Sequence, residues 1–179
     1  VRHSRGRRAA CAALAALLLA SGCASDRVAG LRRPGAGAPQ GATAATPACA
    51  FSLGGIDDRR DAQSLGQMGR THVDGAGFDE WLRNGIASMP GYTPDAAPAI
   101  RITVLKAYVH GLLTLKSANL VVRVQFPPDA AGAATRTYRG FDDSMNWSSS
   151  ESEIQQAFDA ALHNLTVQIG ADLNKRCRG

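Results

Sequence analysis

The groups able to do chemistry in this 179-residue chain are four cysteines, four histidines, a serine run and one aspartate cluster. Cys23 is the most informative: it follows Leu17-Leu18-Leu19-Ala20-Ser21-Gly22, an apolar run that ends in small residues. The histidines offer less. His3 sits among arginines, His72 in a Gly- and Thr-rich stretch, His110 at a predicted hairpin end and His163 on the polar side of a helical stripe. No two have ligand spacing, and none belongs to a Cys or Ser nucleophile signature. Asp57, Asp58 and Asp61 carry the oxygens a hard cation needs, but Arg59 and Arg60 interleave with them, which favours a charge-paired strand end. Ser148-Ser149-Ser150 lacks a Gly-x-Ser-x-Gly setting and leads into Glu153, the spacing of a capping box. No catalytic residue, no metal site and no cofactor is expected, and the chain is not read as an enzyme.

Arg2, Arg5, Arg7 and Arg8 precede an unbroken apolar run over residues 9–20, the pattern of a secretory signal. A spanning helix needs about 18 or more apolar residues, so the run is too short to anchor the chain by itself. The tail Leu19-Ala20-Ser21-Gly22-Cys23 resembles the bacterial lipobox, with Ala20 where Leu is commoner. That resemblance implies removal of residues 1–22 and acylation of Cys23. Each buried CH₂ contributes about 0.8 kcal/mol, so two or three chains hold a protein stably on a bilayer where one does not. The alternative is an ordinary signal with a fortuitous cysteine. Ala24 and Ser25 lack the Asp of an inner-membrane retention signal, which directs the expectation to the periplasmic face of the outer membrane.

Maturation changes the charge. Four of the 20 Lys and Arg leave with residues 1–22, so 16 face 15 acids and the net charge falls from +5 to near +1. No nucleic-acid partner is expected, because phosphate binding needs a basic footprint that survives maturation. Cys49 and Cys177 then remain near the two ends of the folded part, and an even pair in an exported chain is read as a disulfide, the alternative being two free thiols. Closing so long a loop would stabilise by about 4 to 5 kcal/mol in the chain-entropy model.

These groups must be positioned by one modest core. Residues 24–47 are rich in Ala, Gly, Pro and Thr, so residues 23–47 are read as the lipidated cysteine and a flexible tether, and residues 48–179 as a single globular domain. Residues 49–56 suit a first strand with a bulge at Gly54-Gly55. Phe78, Trp81, Leu82, Ile86 and Met89 recur at helical spacing before Pro90-Gly91. Ile100, Ile102 and Val104 alternate with Arg101 and Thr103, and Ala118, Leu120, Val122, Val124 and Phe126 with Asn119, Val121, Arg123 and Gln125, predicting an antiparallel pair; residues 135–142 add a shorter strand. A long helix follows, capped by Ser150 and Glu153, with Ile154, Phe158, Leu162, Leu165, Ile169 and Leu173 in one stripe. The fold class expected is α+β: a small antiparallel sheet of three to four strands with two helices packed on one face.

With these pieces in order, residues 49–173 resemble the YajG-type family of small outer-membrane lipoproteins. The likeness rests on Ile56-Asp57-Asp58-Arg59-Arg60, on the helix end leading to Gly91-Tyr92, and on Arg136-Thr137-Tyr138-Arg139 before the final helix. It implies a signal, a lipidated cysteine, a strand, a helix, a hairpin and a closing helix, and no settled activity. The Cys49 and Cys177 pair has no counterpart in that pattern.

Two features are candidates for binding. If Leu120, Val122 and Val124 face the helices, Arg123 points the other way, and Arg101 with Arg136 or Arg139 joins it on an open face; the alternative is an ordinary solvated surface. Leu112, Leu113 and Leu115, with Met145 and Trp147, either extend the core or meet a partner or second copy. The function expected is a lipid-anchored, non-catalytic interaction or envelope-assembly module that docks an envelope protein or polymer, its oligomeric state open. A small-molecule or lipid carrier is the second expectation.

Overall fold

The computed structural model describes residues 27–34, 50–112, 114–129 and 132–177. Strands β1 (Arg27–Gly30), β2 (Ser52–Asp58), β3 (Gly66–Met68) and β4 (Thr71–Asp74) precede helix α1 (Phe78–Ala87). Three long strands follow, β5 (Ala99–Leu112), β6 (Leu115–Asp129) and β7 (Gly132–Met145), and helix α2 (Glu151–Arg176) ends the fold. All seven strands join one sheet in the order β1-β4-β3-β5-β6-β7, with β2 also on β5. Because β6 runs along one edge of β5, β2 and β3 share the other, pairing with its beginning and its end.

The expectation of a small, three-to-four-stranded antiparallel sheet is therefore corrected. The class is α+β, but the sheet is a seven-stranded mixed one, with β1–β4, β2–β5 and β3–β5 parallel. The additional strands are short: β3 has 3 residues and β1 and β4 have 4 each, too few for a period-two pattern to stand out. β1 also lies inside the stretch expected to be tether. There Ala29 and Leu31 are buried, so a parallel neighbour repays the ordering that composition alone did not support. Residues 1–26 and 35–49, with Cys23 and Cys49, lie outside the described residues, as does Leu113.

The core forms between the sheet and α2. Ala118, Leu120, Val122, Val124 and Phe126 are fully buried on one face of β6, and the α2 stripe from Ile154 to Leu173 closes over them and over β7. Burial of each large apolar side chain contributes roughly 1.5 to 3 kcal/mol. α1 packs on α2 and β2 through Phe78, Trp81, Leu82 and Ile86. Trp81 meets Phe158 edge-on at 5.8 Å and donates its indole N–H to Asp159 at 2.9 Å, so the polar atom it buries is satisfied.

The helix starts where the capping box expected from the sequence forms: the Ser150 hydroxyl accepts from the Glu153 N–H and the Glu153 carboxylate accepts from the Ser150 N–H. It then comes unusually close to β7. A Cβ on Gly140 would stand 2.0 Å from the Ala161 carbonyl oxygen, in helix backbone that has no side chain to move aside. Gly140→Ala is expected to destabilise by about 1 to 3 kcal/mol through overpacking, read as a lower urea midpoint by circular dichroism. An unchanged midpoint would show that the helix is not seated on β7 as described.

Candidate functional site: the outer face of the sheet and its hairpin end

With α2 over one face, the opposite face of β5, β6 and β7 is set by register. Across it stand Arg101 beside Gln125, then Thr103-Arg123-Thr137, Lys106-Val121-Arg139 and Tyr108-Asn119-Phe141. Leu112-Leu115-Met145 make the last such row, where the hairpin turns. A register shift between Val104 and Lys106 inserts one residue into β5 and reverses its parity, so that Lys106 and Tyr108 join Arg101 and Thr103 on the outer side. Tyr108 and Phe141 are both exposed. Sequence reasoning missed Lys106, Tyr108 and Phe141; the signal available was the break in alternation after Val104.

Three of the four predicted cations share this face. Arg101 and Arg123 reach into solvent, as does Lys106, with no ion-pair partner among the described residues. Arg139 is held more firmly. Its guanidinium donates to the Asn119 Oδ1 through Nη2 at 2.5 Å and Nε at 3.2 Å and lies 5.5 Å from the Phe141 ring centroid. Asn119 is buried beneath it and donates in turn to the Ser117 hydroxyl. In the Thr103 row, Asp57 of β2 forms the expected charge pair with Arg59 at 2.6 Å, and Asp58 pairs with Arg60.

Arg136 does not belong to the patch. Its register partner is Val124, which is buried, so Arg136 takes the helix side and its guanidinium bonds the Asp172 carboxylate. Tyr138 donates its hydroxyl to the same oxygen at 2.7 Å, and Lys175 reaches the other at 3.3 Å. Burial by itself would raise the Asp172 carboxyl, but hydrogen bonds from Tyr138, Arg136 and Lys175 outweigh it and hold the group below its usual range. Burial, then the bond to Asp172, pushes the Tyr138 phenol up. This cluster ties α2 to β7; it is structural.

The four described residues among the apolar ones expected either to extend the core or to meet a partner are exposed. Trp147 is 81% accessible and Leu112 62%, with Leu115 and Met145 about half accessible beside them. They share one end of the sheet, where Asn146 donates its N–H to the Thr114 carbonyl across the hairpin. The Trp147 loop is organised by one carboxylate. Glu153 accepts from the N–H groups of Trp147, Ser148 and Ser150 and from the Ser148 hydroxyl. Partial burial opposes its charge, but these donors prevail and the group is pushed down to about 2.

An open cleft of about 550 Å³ lies elsewhere, lined by Ser52, Leu53, Tyr92, Asp95 and Ala99 at the start of β2. Cys177 is disulfide-bonded; Cys49, the partner expected, lies outside the described residues. Among the described residues no group of three or more His, Cys, Asp or Glu is placed to hold a metal ion, and no helix is long and apolar enough to cross a membrane.

Because the folded-state value of Glu153 is depressed, its stabilisation is complete above its usual 4.5 and is lost as pH falls toward about 2. Glu153→Gln is expected to cost about 1 kcal/mol at neutral pH, as lost helix caps do, with the difference from wild type closing between pH 4.5 and 2. Urea titrations at stepped pH measure it; a difference constant with pH would sink this account.

No family model matches the chain, and neither does any curated protein. Among solved structures, the fold is similar to that of protein XCC0632 from Xanthomonas campestris, of family DUF330, with TM-score 0.50, 12% identity, and coverage of 82% of this chain and 94% of that one. A neuraminyllactose-binding hemagglutinin homolog from Helicobacter pylori matches with TM-score 0.36, 11% identity, and coverage of 82% of this chain and 95% of the other. The first likeness is one of fold.

Proposed function

We propose that this chain is a lipid-anchored lipoprotein of the outer membrane, of the YajG type, that faces the periplasm and works by docking an acidic envelope partner rather than by reaction. The observation that carries the docking reading is the outer face of β5, β6 and β7. It sets Arg101, Lys106, Arg123 and Arg139 beside the exposed rings of Tyr108 and Phe141. Arginine and aromatic side chains dominate the energetics of protein interfaces, and a cationic field on one face steers an acidic partner to it. The lipid anchor is supported by the arginine-rich start, the apolar run and the lipobox-like Leu19-Ala20-Ser21-Gly22-Cys23.

The cleft beside Tyr92 favours a second reading, a carrier of a small molecule or lipid. It opens at the sheet edge, away from the filled space between sheet and helices, so a ligand there would bind without entering the core.

A photo-crosslinking residue at Arg123 in the full-length protein in cells is expected to capture one dominant protein, identified by mass spectrometry. Lys106→Glu is expected to reduce that capture at least tenfold, the equivalent of roughly 1.4 kcal/mol, without lowering the unfolding midpoint, since Lys106 is exposed. Capture of lipid or glycan alone would reject a protein partner for this face.

A further inference from the structure

We propose that the hairpin end of the sheet is a membrane contact: Trp147, Leu112, Leu115 and Met145 rest in the headgroup region of the bilayer to which Cys23 is anchored. This rests on the lipid-anchor reading above and adds to it which end of the molecule meets the membrane.

The position of β1 supplies the argument. β1 is parallel to β4, with Arg27 opposite Thr71, and the Arg27 N–H donates to the Arg70 carbonyl at 3.0 Å. Arg70 lies in the turn between β3 and β4. β3 runs parallel to the end of β5, Gln67 beside His110, so that turn sits at the end of the sheet where β5 turns into β6. Side chains confirm the juxtaposition. Thr71 donates its hydroxyl to the Ser149 carbonyl at 3.0 Å, Asn146 donates to the Ser149 hydroxyl at 3.0 Å, and a Cβ on Gly111 would lie 3.6 Å from both Met68 and Asn146. Where the chain enters the sheet and where the apolar residues project are therefore one place.

Chain length then restricts where the membrane can be. Cys23 is four residues before Arg27, and four residues span at most about 14 Å when fully extended. A bilayer holding acyl chains on Cys23 would lie within that distance of the start of β1, at the same end of the sheet as the hairpin. The headgroup region takes Trp and Leu side chains readily, the indole combining an apolar body with a polar N–H. Arg27 and Arg70 are exposed at the same end, beside the anionic phosphates such a surface presents. The nearest acids weigh little against them: the Glu153 carboxylate is occupied by the Trp147 loop, and Asp143 lies one row back from Met145.

Trp147 reports the contact directly, because the only other tryptophan, Trp81, is buried against α2 and serves as an internal control. The full lipidated protein is reconstituted into phosphatidylethanolamine and phosphatidylglycerol vesicles whose acyl chains carry bromine. Emission is expected to fall as bromolipid replaces ordinary lipid, and the fall to disappear in Trp147→Phe. Leu112→Ser with Leu115→Ser, both at exposed positions, is expected to reduce the quenching at least twofold while leaving flotation with the vesicles intact. Protein that carries acyl mass on Cys23 and floats, yet shows the same emission in brominated and ordinary lipid, overturns the contact and leaves the anchor standing. Protein without acyl mass on Cys23 removes the anchor and the contact together.

Discussion

Burial of one sheet face beneath α2 is the constraint on which the rest of the structure depends. Ala118, Leu120, Val122, Val124 and Phe126 occupy every second position of β6, and each is taken out of water by the helix stripe that begins at Ile154. A strand slipped by one residue would turn all five to solvent, so the register of β6 is fixed strongly, and with it the registers of β5 and β7 on either side. Gly140 sharpens the fit. By carrying no Cβ it lets the backbone of α2 at Ala161 settle onto β7, and from there the side chains of Asn164 and Gln168 donate to the carbonyls of Phe141 and Arg139. Those carbonyls lie on the last strand of the sheet, so the helix that builds the core also covers part of an edge open to pairing with other chains.

What the outer face displays follows from that registration. Arg123 is a neighbour of Val122 and Val124 in sequence and points away from both. Arg136, opposite Val124, is drawn to the helix side and neutralises Asp172. The inserted residue in β5 changes what its second half shows: without it, Ala107 and Val109 would face solvent and Lys106 and Tyr108 the core. The bulge thus resolves a local conflict in which a lysine and a tyrosine alternate with two small apolar residues out of phase with Ile100, Ile102 and Val104.

Long, locally encoded elements were legible in the sequence and short, non-local ones were not. The stripe on α2 runs from Ile154 to Leu173, more than five turns, and its capping box is local, so both could be read from residues a few positions apart. The alternation in β6 was equally plain. β3 and β4 exist because β5 and β1 lie beside them, and nothing within Gly66–Met68 or Thr71–Asp74 announces a partner some 40 residues away. β1 is the sharpest case: in a stretch of Ala, Gly and Pro, Ala29 and Leu31 turn inward and Val28 outward, an alternation of burial that the residue types do not show. Of the basic patch, Arg101 and Arg123 followed from period two alone. Arg136 was lost because the choice between it and Arg139 depends on the register against β6, which sequence spacing leaves open.

Moving β1 from tether to sheet alters how the domain would stand in an envelope. A flexible stretch of some 24 residues would let the folded part wander tens of ångströms from its anchor, and an end bearing Trp147, Leu112, Leu115 and Met145 would then be an apolar patch in water with nothing to cover it. With Cys23 acylated as proposed, the three residues between it and Arg27 would set the opposite regime, in which orientation is restricted and that end has a surface to face. The same restriction acts on the other end of the sheet. Arg123 is eight residues along β6 from Leu115, roughly 26 Å at the rise of an extended strand. If the hairpin end rests against a bilayer as proposed, the rows of Arg101 and Arg123 would stand about three Debye lengths from the lipid headgroups, where their field would act on a partner instead of on the anchoring membrane. On that proposal one sheet face would separate two tasks along its strands, an apolar end for the surface that would hold the chain and a cationic end for what the chain would hold.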